Sequence, residues 1–220
     1  MGARSDRRSE AGARSGIVAN VLLYNSPMSG NCYKVRLLLA HLGIPYETQE
    51  VSVVDRSNRR ELLGRLNPAL RVPTVVLDDG RALAESNAIL WYFGEGTRFV
   101  PDDKYERAQV LQWMFFEQYE IEPALAVVRF WRSYSGTPEK LAPDRRDELV
   151  KSGNRALAAL ERHLDGREWV VGDGMTIADI SLYAYTHVAR EGGFDLEPYP
   201  NARAWQQRLA AEPGHVPIGA

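Results

Sequence analysis

Three side chains that can act as nucleophiles or hydrogen-bond donors lie close together in the segment NSPMSGNCYKVRL, which covers residues 25–37. They are Ser26, Ser29 and Cys32, and Cys32 is the only cysteine in the chain. A hydroxyl or a thiol becomes reactive when a base, a helix N-terminus or a neighbouring charge activates it. The elements around this segment therefore decide which of the three could act, and on what.

The segment lies between a predicted strand and a predicted helix. Residues 17–24 form a short apolar run that is typical of a buried strand. Apolar residues then recur at helical spacing from Val35 to Leu42, and Gly43 ends that helix. Residues 46–54 predict a second strand, so the order is β-α-β, which implies a right-handed crossover and a parallel strand pair.

The remainder of the first half completes a small α/β domain. A short polar helix is predicted over 56–65, and strands over 74–77 and 81–84 flank the hairpin signal Asp78-Asp79-Gly80. A helix follows from Ser86. This order, βαβ-α-ββα, predicts a thioredoxin-like domain over residues 17–95, and the Gly-, Pro- and Asp-rich residues 96–103 predict a linker.

The second half predicts only helices, in a domain over residues 104–220. A long helical pattern over 105–134 contains Pro123, where we expect a kink or a break. Further helices are predicted over 144–164, 176–187 and 200–211, and the third of these is apolar enough to be central. Thr176 and Asp179 have the spacing of a capping box at its start. The fold class is therefore α/β plus all-α.

The composition excludes several classes of function. A net charge of −2 and a pI near 6.1 argue against nucleic-acid binding or binding to anionic membranes, and no apolar run is long enough to span a bilayer. One cysteine excludes an internal disulfide and a cysteine-rich zinc site, and the four histidines lack metal-ligand spacing. We therefore expect a metal-free, reduced, cytoplasmic protein.

The first sixteen residues differ in composition from the rest. They contain four arginines together with several Ser and Gly residues, a pattern that resembles a transit peptide. Asp6 and Glu10 do not fit that pattern, and no apolar signal region follows them. We expect residues 1–16 to be a disordered leader.

The position of Ser29 is informative about chemistry. In a β-α-β unit, C-x-x-C at the strand-to-helix turn marks a dithiol redox site, and here Ser29 stands in place of the first cysteine, three residues before Cys32. An internal disulfide cannot form, so dithiol chemistry is excluded. A hydroxyl at a helix N-terminus remains, where exposed amides favour a bound anion, such as a thiolate that a ligand brings in.

Four motifs in order make the resemblance specific. The run SxxSGNxYKVRL, the NPxxxVP segment, the residues ESNAI from Glu85 and the later helical domain resemble the soluble glutathione transferases of the serine-active type, with a zeta- and theta-like N-terminal motif. The resemblance covers residues 17–212. This resemblance implies the roles of the candidate glutathione-binding and electrophile-binding residues.

The resemblance assigns Ser29 as the donor of a hydrogen bond to the glutathione sulfur. That bond, with the amides of Gly30, Asn31 and Cys32, would lower the pKa of the thiol. Ser29 could also serve as the N-cap of the helix, and the two roles are compatible. Ser26 is the weaker candidate donor, and Cys32 reads as a buried apolar residue or as an alternative thiol that forms a mixed disulfide with glutathione.

Five more residues are implied to bind glutathione. Arg71, Val72 and Pro73 match the segment in which a cis-proline presents the backbone of the preceding residue to the cysteinyl part of the ligand. Glu85 would pair with the α-amino group of the γ-glutamyl part. Ser86, a predicted N-cap, would leave a helix N-terminus for the carboxylate.

The electrophile is expected to bind between the domains, against the long helix. Trp113, Phe116 and Glu120 lie there at near-helical spacing, with Phe130 and Trp131 further along. Such an aromatic stripe is also typical of a protein core.

The resulting expectation is a glutathione transferase that adds the thiolate of its cosubstrate, glutathione, to small hydrophobic electrophiles, as in detoxification. A homodimer is expected from the family. The alternatives are a non-catalytic scaffold or stress protein of the same fold, a glutathione-dependent isomerase or dehalogenase, and a thiol transferase that uses Cys32. The zeta-like isomerase motif is incomplete, because Ser29-Gly30-Asn31 replaces its double serine and cysteine.

Overall fold

The structure is a computed structural model that describes residues 21–220. The predicted leader over residues 1–16 and the first residues of the predicted strand over 17–24 lie outside this range.

A four-stranded sheet forms the first half of the fold. Its strands are β1 Val21–Asn25, β2 Tyr46–Glu50, β3 Thr74–Val76 and β4 Ala82–Ala84, in the spatial order β2-β1-β3-β4. β1 pairs in parallel with β2 and antiparallel with β3, and β3 pairs antiparallel with β4. The predicted parallel pair and the predicted hairpin are both confirmed.

Three helices accompany the sheet: α1 Gly30–Leu42, α2 Arg59–Leu63 and α3 Ser86–Gly94. The α1 helix is buried on two sides. Val35 and Leu39 belong to the apolar cluster of the sheet, whereas Leu37 and Leu38 belong to the core of the helical half. Because α1 packs on both cores, its N-terminus is fixed relative to both halves of the molecule.

The helical half begins with α4 Lys104–Phe116, which continues without interruption as a π-helical segment Glu117–Ala126, α5 Val127–Arg129 and a second π-helical segment Phe130–Tyr134. Of the kink or break expected at Pro123, the break is therefore wrong. The wider turns of the π-helical segment shift the hydrogen-bond pattern around a residue that has no N–H, so the chain stays helical through the proline.

The remaining helices are α6 Pro143–His163, α7 Ile177–Thr186 and α8 Pro200–Ala210. All residues of α7 are buried, as expected for a central helix. Its capping box is confirmed, because the Thr176 hydroxyl accepts from the Ala178 amide and the Asp179 carboxylate accepts from the Thr176 amide at 2.8 Å. Asp179 also accepts from the indole N–H of Trp205 at 2.9 Å, which ties α8 to this cap.

The last residues of the described chain lie along α1. The Tyr33 hydroxyl donates to the carbonyl of Val216 at 2.7 Å, and the Arg36 guanidinium donates to the carbonyl of Ile218 at 2.5 Å. A sheet domain followed by helices confirms the predicted fold class. Within residues 21–220, no helix combines the length and the apolar character that a membrane crossing requires.

Candidate functional site

The loop Ser26–Ser29 connects the end of β1 to the start of α1. Ser29 is the N-cap residue of α1, and its Oγ accepts a hydrogen bond from the Cys32 amide at 3.3 Å. The predicted capping role is thereby confirmed. The side chain of Ser29 is partly exposed, so its own O–H proton is available to a ligand.

Cys32 lies behind the loop and is completely buried. Its Sγ accepts from the Ser26 amide at 3.4 Å. Burial raises the pKa of the Cys32 thiol to about 11, because an apolar surrounding disfavours the thiolate. A neutral, inaccessible thiol does not suit a mixed disulfide, so the hydroxyls remain as the reactive groups of this segment.

A cavity of about 510 Å³ opens between the loop and the helical half. The loop residues and Gly30 form one wall. The opposite wall is aromatic and comes from Phe130, Trp131, Tyr134 and Tyr185. Charged side chains complete the lining: Glu50, Arg56, Arg59, Glu122 and Arg129. The volume and this mixture of apolar and polar groups suit a small-molecule site.

The predicted electrophile-binding residues lie elsewhere. Trp113 is buried, with its ring 5.0 Å from that of Phe116 and 4.2 Å from that of His163, measured between centroids. Phe116 packs against the same core, and Glu120 is partly exposed. None of Trp113, Phe116 and Glu120 is among the described residues that line the cavity. The core interpretation of this aromatic stripe therefore holds for Trp113 and Phe116.

The segment Arg71–Pro73 lies beside the start of the loop, and the peptide bond between Val72 and Pro73 is cis. Thr74 pairs with Tyr24 in β1 and with Ala84 in β4. One further step of this register sets Pro73 between Asn25 and Glu85. The Arg71 side chain is exposed, while its carbonyl accepts from the Asn67 side chain at 3.0 Å.

Glu85 holds an unusual backbone conformation directly before α3. Its φ of 70° and ψ of 115° lie in a region that side-chain-bearing residues rarely adopt, at a cost of about 1–3 kcal/mol. The side chain is exposed and makes no capping hydrogen bond. Strain of this kind at an exposed carboxylate is typical of ligand-binding sites.

The structure corrects the predicted cap of α3. Glu85 is the N-cap residue, and Ser86 is the first residue of the helix. The Ser86 hydroxyl instead donates to Oδ1 of Asn31 at 3.1 Å, which joins α3 to the first turn of α1. No described side chain caps the first amides of α3, so they remain available to an anion.

A buried polar network lies beneath these residues. Lys34 and Glu117 are both fully buried and form an ion pair of 2.5 Å. The Lys34 ammonium also donates to the Ser86 hydroxyl at 3.4 Å, and Glu117 accepts from Ser181 of α7 at 3.0 Å. The pair therefore links α1, α3, the π-helical segment after α4, and α7 at the junction of the two halves.

Sequence reasoning missed Lys34 and Glu117. They are 83 residues apart, and neither stands out in the local pattern of its helix. Only the packing of the two halves turns two ordinary surface-type residues into a buried pair.

Tyr185 reaches the loop from α7. Its hydroxyl accepts from the Asn31 amide at 3.2 Å, and its ring lies against Gly30. A Cβ at position 30 would be 2.5 Å from Cε1 of this ring, so Gly30 is needed for the close approach. The Asn31 and Cys32 amides were expected to donate directly to the sulfur. In the structure they donate to the hydroxyls of Tyr185 and Ser29 instead.

Two buried arginines hold the carbonyl groups of the loop. Arg36 of α1 donates to the carbonyl of Pro27 at 2.6 Å, and Arg129 of α5 donates to that of Met28 at 2.7 Å. Arg129 is itself oriented by a 2.7 Å ion pair with Glu191 and a 2.9 Å hydrogen bond to Tyr134. The loop is therefore fixed from both halves of the molecule.

The charged residues at the cavity divide into two groups. Burial, together with the charges of Arg56 and Arg71, lowers the pKa of Arg59, which shows that these arginines lie near one another. None of the three forms an ion pair with a carboxylate in the described part of the chain. On the opposite side, burial and the nearby Glu117 raise the pKa of Glu122.

The arrangement can bind an anionic small molecule and donate hydrogen bonds to it. Within residues 21–220, the His, Cys, Asp and Glu side chains form no group of three or more that could hold a metal ion.

Comparisons with known proteins show the family of the chain. Residues 28–95 match the family model described as the N-terminal domain of glutathione S-transferase, and residues 124–213 match that of the C-terminal domain. A maleylacetoacetate isomerase from Dictyostelium discoideum is 30% identical over 202 residues, which make up 89% of this chain and 91% of the relative.

Solved structures give the same result. A glutathione S-transferase from Pseudomonas fluorescens is 46% identical, with a TM-score of 0.85 and coverage of 90% of this chain and 98% of its own. A glutathione transferase from Burkholderia graminis, solved with two glutathione molecules bound per subunit, is 28% identical with a TM-score of 0.76. That match covers 89% of this chain and 85% of the other.

Proposed function

Because the chain belongs to the glutathione S-transferase family, we propose that it conjugates the thiolate of glutathione to small electrophilic molecules. Family membership supports a glutathione-dependent activity. Ser29 donates a hydrogen bond to the sulfur and keeps it ionised, so the nucleophile comes from the cosubstrate and not from the protein. Glutathione is kept reduced in the cytoplasm, where we expect the protein to act.

The observation that carries this proposal is the position of the Ser29 hydroxyl. It lies at the N-cap of α1, accepts the Cys32 amide at 3.3 Å and borders the 510 Å³ cavity. A sulfur atom within hydrogen-bond distance of it also experiences the positive end of the helix dipole. Both effects stabilise the thiolate over the thiol.

The remainder of glutathione extends from this point across the sheet. The backbone of Val72 beside cis-Pro73 pairs with the cysteinyl part, and Arg71 lies at the same edge. Glu85 meets the α-amino group of the γ-glutamyl part, and the free amides at Ser86 and after it meet the carboxylate. The electrophile occupies the cavity against Phe130 and Trp131.

Three substitutions at Ser29 test the proposal and separate capping from catalysis. Ser29→Ala removes the cap and the sulfur donor, Ser29→Asp keeps a good cap but repels a thiolate, and Ser29→Thr keeps both functions. We expect kcat/KM for an aryl halide to fall about 100-fold in the alanine variant, and at least as far in the aspartate variant. The threonine variant should keep most of its activity.

Helix stability is the property that a purely structural Ser29 would affect. The alanine variant should lose about 1 kcal/mol of unfolding free energy, whereas the aspartate variant should not. Full activity in the aspartate variant would contradict the sulfur-facing role. Ser152→Ala on α6, at a residue that does not line the cavity, provides the matched control.

A second candidate activity is the glutathione-dependent isomerisation of an unsaturated acid. Two observations favour it: the 30% identical maleylacetoacetate isomerase, and the neighbouring arginines Arg56 and Arg59 at the cavity, which suit a substrate carboxylate. A substrate panel decides between the two activities. Turnover of unsaturated diacids without conjugate formation would favour the isomerase.

A non-catalytic scaffold of the same fold is the remaining alternative. Retention on a glutathione resin is the cheapest discriminator, because a scaffold has no need of a complete ligand set. A folded protein that fails to bind the resin would favour the scaffold.

We also propose a homodimer, formed through an exposed apolar face on α3, α4 and the segment that follows. Phe115 and Tyr119 are 70% and 82% exposed, and Leu111 precedes them at the same four-residue spacing. Tyr92 of α3 is also exposed, at 47%. Large aromatic side chains on one helix face are typical of protein–protein interfaces.

A further inference from the structure

Tyr185 is a buried tyrosine that forms part of the wall of the cavity. It belongs to α7, and so comes from the helical half, whereas Ser29 belongs to the loop of the sheet domain. The Tyr185 oxygen accepts one hydrogen bond, from the Asn31 amide at 3.2 Å. Its own O–H proton has no acceptor among the described residues.

The surroundings of Tyr185 repeat those of Ser29. Ser29 accepts from the Cys32 amide, and Tyr185 accepts from the amide of the preceding residue, Asn31. Both amides belong to the first turn of α1, so both hydroxyl oxygens lie at the positive end of one helix. A hydroxyl that accepts a hydrogen bond becomes a better donor through its own proton.

Tyr185 keeps its proton at any ordinary pH. Burial raises its pKa well above the usual value near 10, and the carboxylates of Glu122 and Glu117 act in the same direction. The Lys34 ammonium lies 5.8 Å from the ring centroid. A tyrosine in these surroundings can donate a hydrogen bond but cannot act as a base.

Gly30 allows the Tyr185 ring to come this close to α1, because glycine has no side chain. The Tyr185 ring occupies the space that a Cβ of residue 30 would need, which brings the hydroxyl to the Asn31 amide. The ring therefore packs directly on the first residue of α1, next to Ser29.

We propose that Tyr185 is a second catalytic hydroxyl, which donates a hydrogen bond to the glutathione sulfur beside the one from Ser29. This inference rests on the proposed glutathione-dependent function and deepens it. The thiol proton leaves to solvent, and the two hydroxyls share the negative charge that remains on the sulfur until it attacks the electrophile. The helical half thus contributes to activation of the nucleophile, in addition to forming the electrophile pocket.

Tyr185→Phe is the direct test, with Tyr183→Phe as the matched control. Tyr183 lies on the same helix, is buried, and directs its hydroxyl towards His215, away from the cavity. The pKa of bound glutathione is measured by ultraviolet titration of its thiolate. We expect Tyr185→Phe to raise that pKa by about one unit and to lower the conjugation rate at neutral pH about tenfold, equally for an aryl halide and an unsaturated ketone.

A second variant tests the same contact without removing the hydroxyl. Replacement of Tyr185 by a ring-fluorinated tyrosine makes the phenol a stronger donor, and burial keeps it protonated. We expect the thiol pKa of bound glutathione to fall in this variant. This arm stays informative even if Tyr185→Phe folds poorly because the Asn31 amide loses its acceptor.

Two outcomes would overturn the inference. An unchanged thiol pKa in both Tyr185 variants would exclude contact with the sulfur. A rate loss confined to the unsaturated ketone would assign the hydroxyl to the electrophile instead. The proposed function fails separately, if the wild-type protein binds no glutathione or if activity does not depend on Ser29.

Discussion

His41, His187 and His215 lie near the junction of α1, α7 and the last described residues, and burial lowers the pKa of each. His187 is the most affected, with a pKa of about 4. Its ring stacks on Tyr183 with centroids 4.3 Å apart, and its Nδ1 donates to the Tyr183 carbonyl at 2.6 Å. The folded protein therefore holds His187 neutral at pH values where a free histidine is charged.

This arrangement predicts acid sensitivity of the fold. Between pH 6.5 and about 4 the unfolded chain binds a proton at His187 that the folded chain does not, so the unfolding free energy falls as the pH is lowered through this window. The positive charges of Arg129 and His215 add to the effect of burial, and Glu191 opposes it. Denaturant unfolding at pH 7.5 and at pH 5 measures the change.

His187→Gln should flatten that pH dependence, because glutamine cannot take up the proton. Equal or greater stability of the wild type at pH 5 would contradict the assignment.

For individual residues, the sequence predicts a role when that role depends on neighbours along the chain. Ser29 follows a strand and precedes a helix, and Cys32 lies one turn inside it, so both environments were readable from spacing alone. Tyr185 and Arg129 were not, because their relevance comes from contacts with Asn31 and Met28, which are 154 and 101 residues away. No local pattern contains that information.

The loop Ser26–Ser29 is an element held by its backbone. The carbonyls of Pro27 and Met28 accept from Arg36 and Arg129, so neither is free to turn towards the cavity. Arg129 is 4% exposed and depends on Glu191 for its orientation. The position of the Ser29 hydroxyl thus depends on α5 through the hydrogen bond from Arg129 to the neighbouring residue, Met28.

We predict that Arg129→Met lowers both stability and activity. The Met28 carbonyl loses the Arg129 donor, and the Glu191 carboxylate loses its ion pair but keeps the hydrogen bond from Tyr134, at a cost of about 2 kcal/mol of unfolding free energy. The loosened loop should lower kcat for conjugation while the variant remains folded. Arg132→Met, an exposed arginine on the same helical stretch, is the control. Denaturant unfolding and steady-state kinetics measure the two effects, and wild-type kcat in a destabilised Arg129→Met would contradict the positioning role.

The start and the burial of a helix could be predicted where its sequence carries clear capping and apolar signals. The α7 helix has a capping box and an apolar run, and both appear as expected. The long helix was harder, because Pro123 argues for a break in an α-helix but not in the π-helical turns that tertiary packing imposes. The same helix misled the pocket prediction. Aromatic spacing identifies a helix face but not what that face packs against, and Trp113 turned out to face the core.

At the scale of the whole molecule, the exposed apolar face of α4 predicts a dimer. Phe115→Glu should convert a dimer into a monomer in size-exclusion chromatography with light scattering, because a charge would have to be desolvated at the centre of the interface. Lys151→Glu, an exposed change on α6, should leave the mass unchanged. A monomeric wild-type protein, or a Phe115→Glu variant that remains dimeric, would contradict this interface.

The two halves of one chain are also joined by the Lys34–Glu117 pair. Both charges are fully buried, so substitution of either residue would leave the other charge buried without its partner, at a cost of several kcal/mol. Unfolding of the two halves is therefore coupled through the residues directly beneath Ser86 and Asn31.

The contact between Gly30 and Tyr185 has an evolutionary consequence. The two residues share one small volume, although 154 positions separate Tyr185 from Asn31, the neighbour of Gly30. A lineage cannot gain a side chain at position 30 while it keeps the tyrosine ring. In diverging relatives we expect the two positions to change together, with alanine or serine at 30 accompanied by a smaller residue at 185. In an alignment, glycine at position 30 would thus indicate that the tyrosine hydroxyl at position 185 is retained.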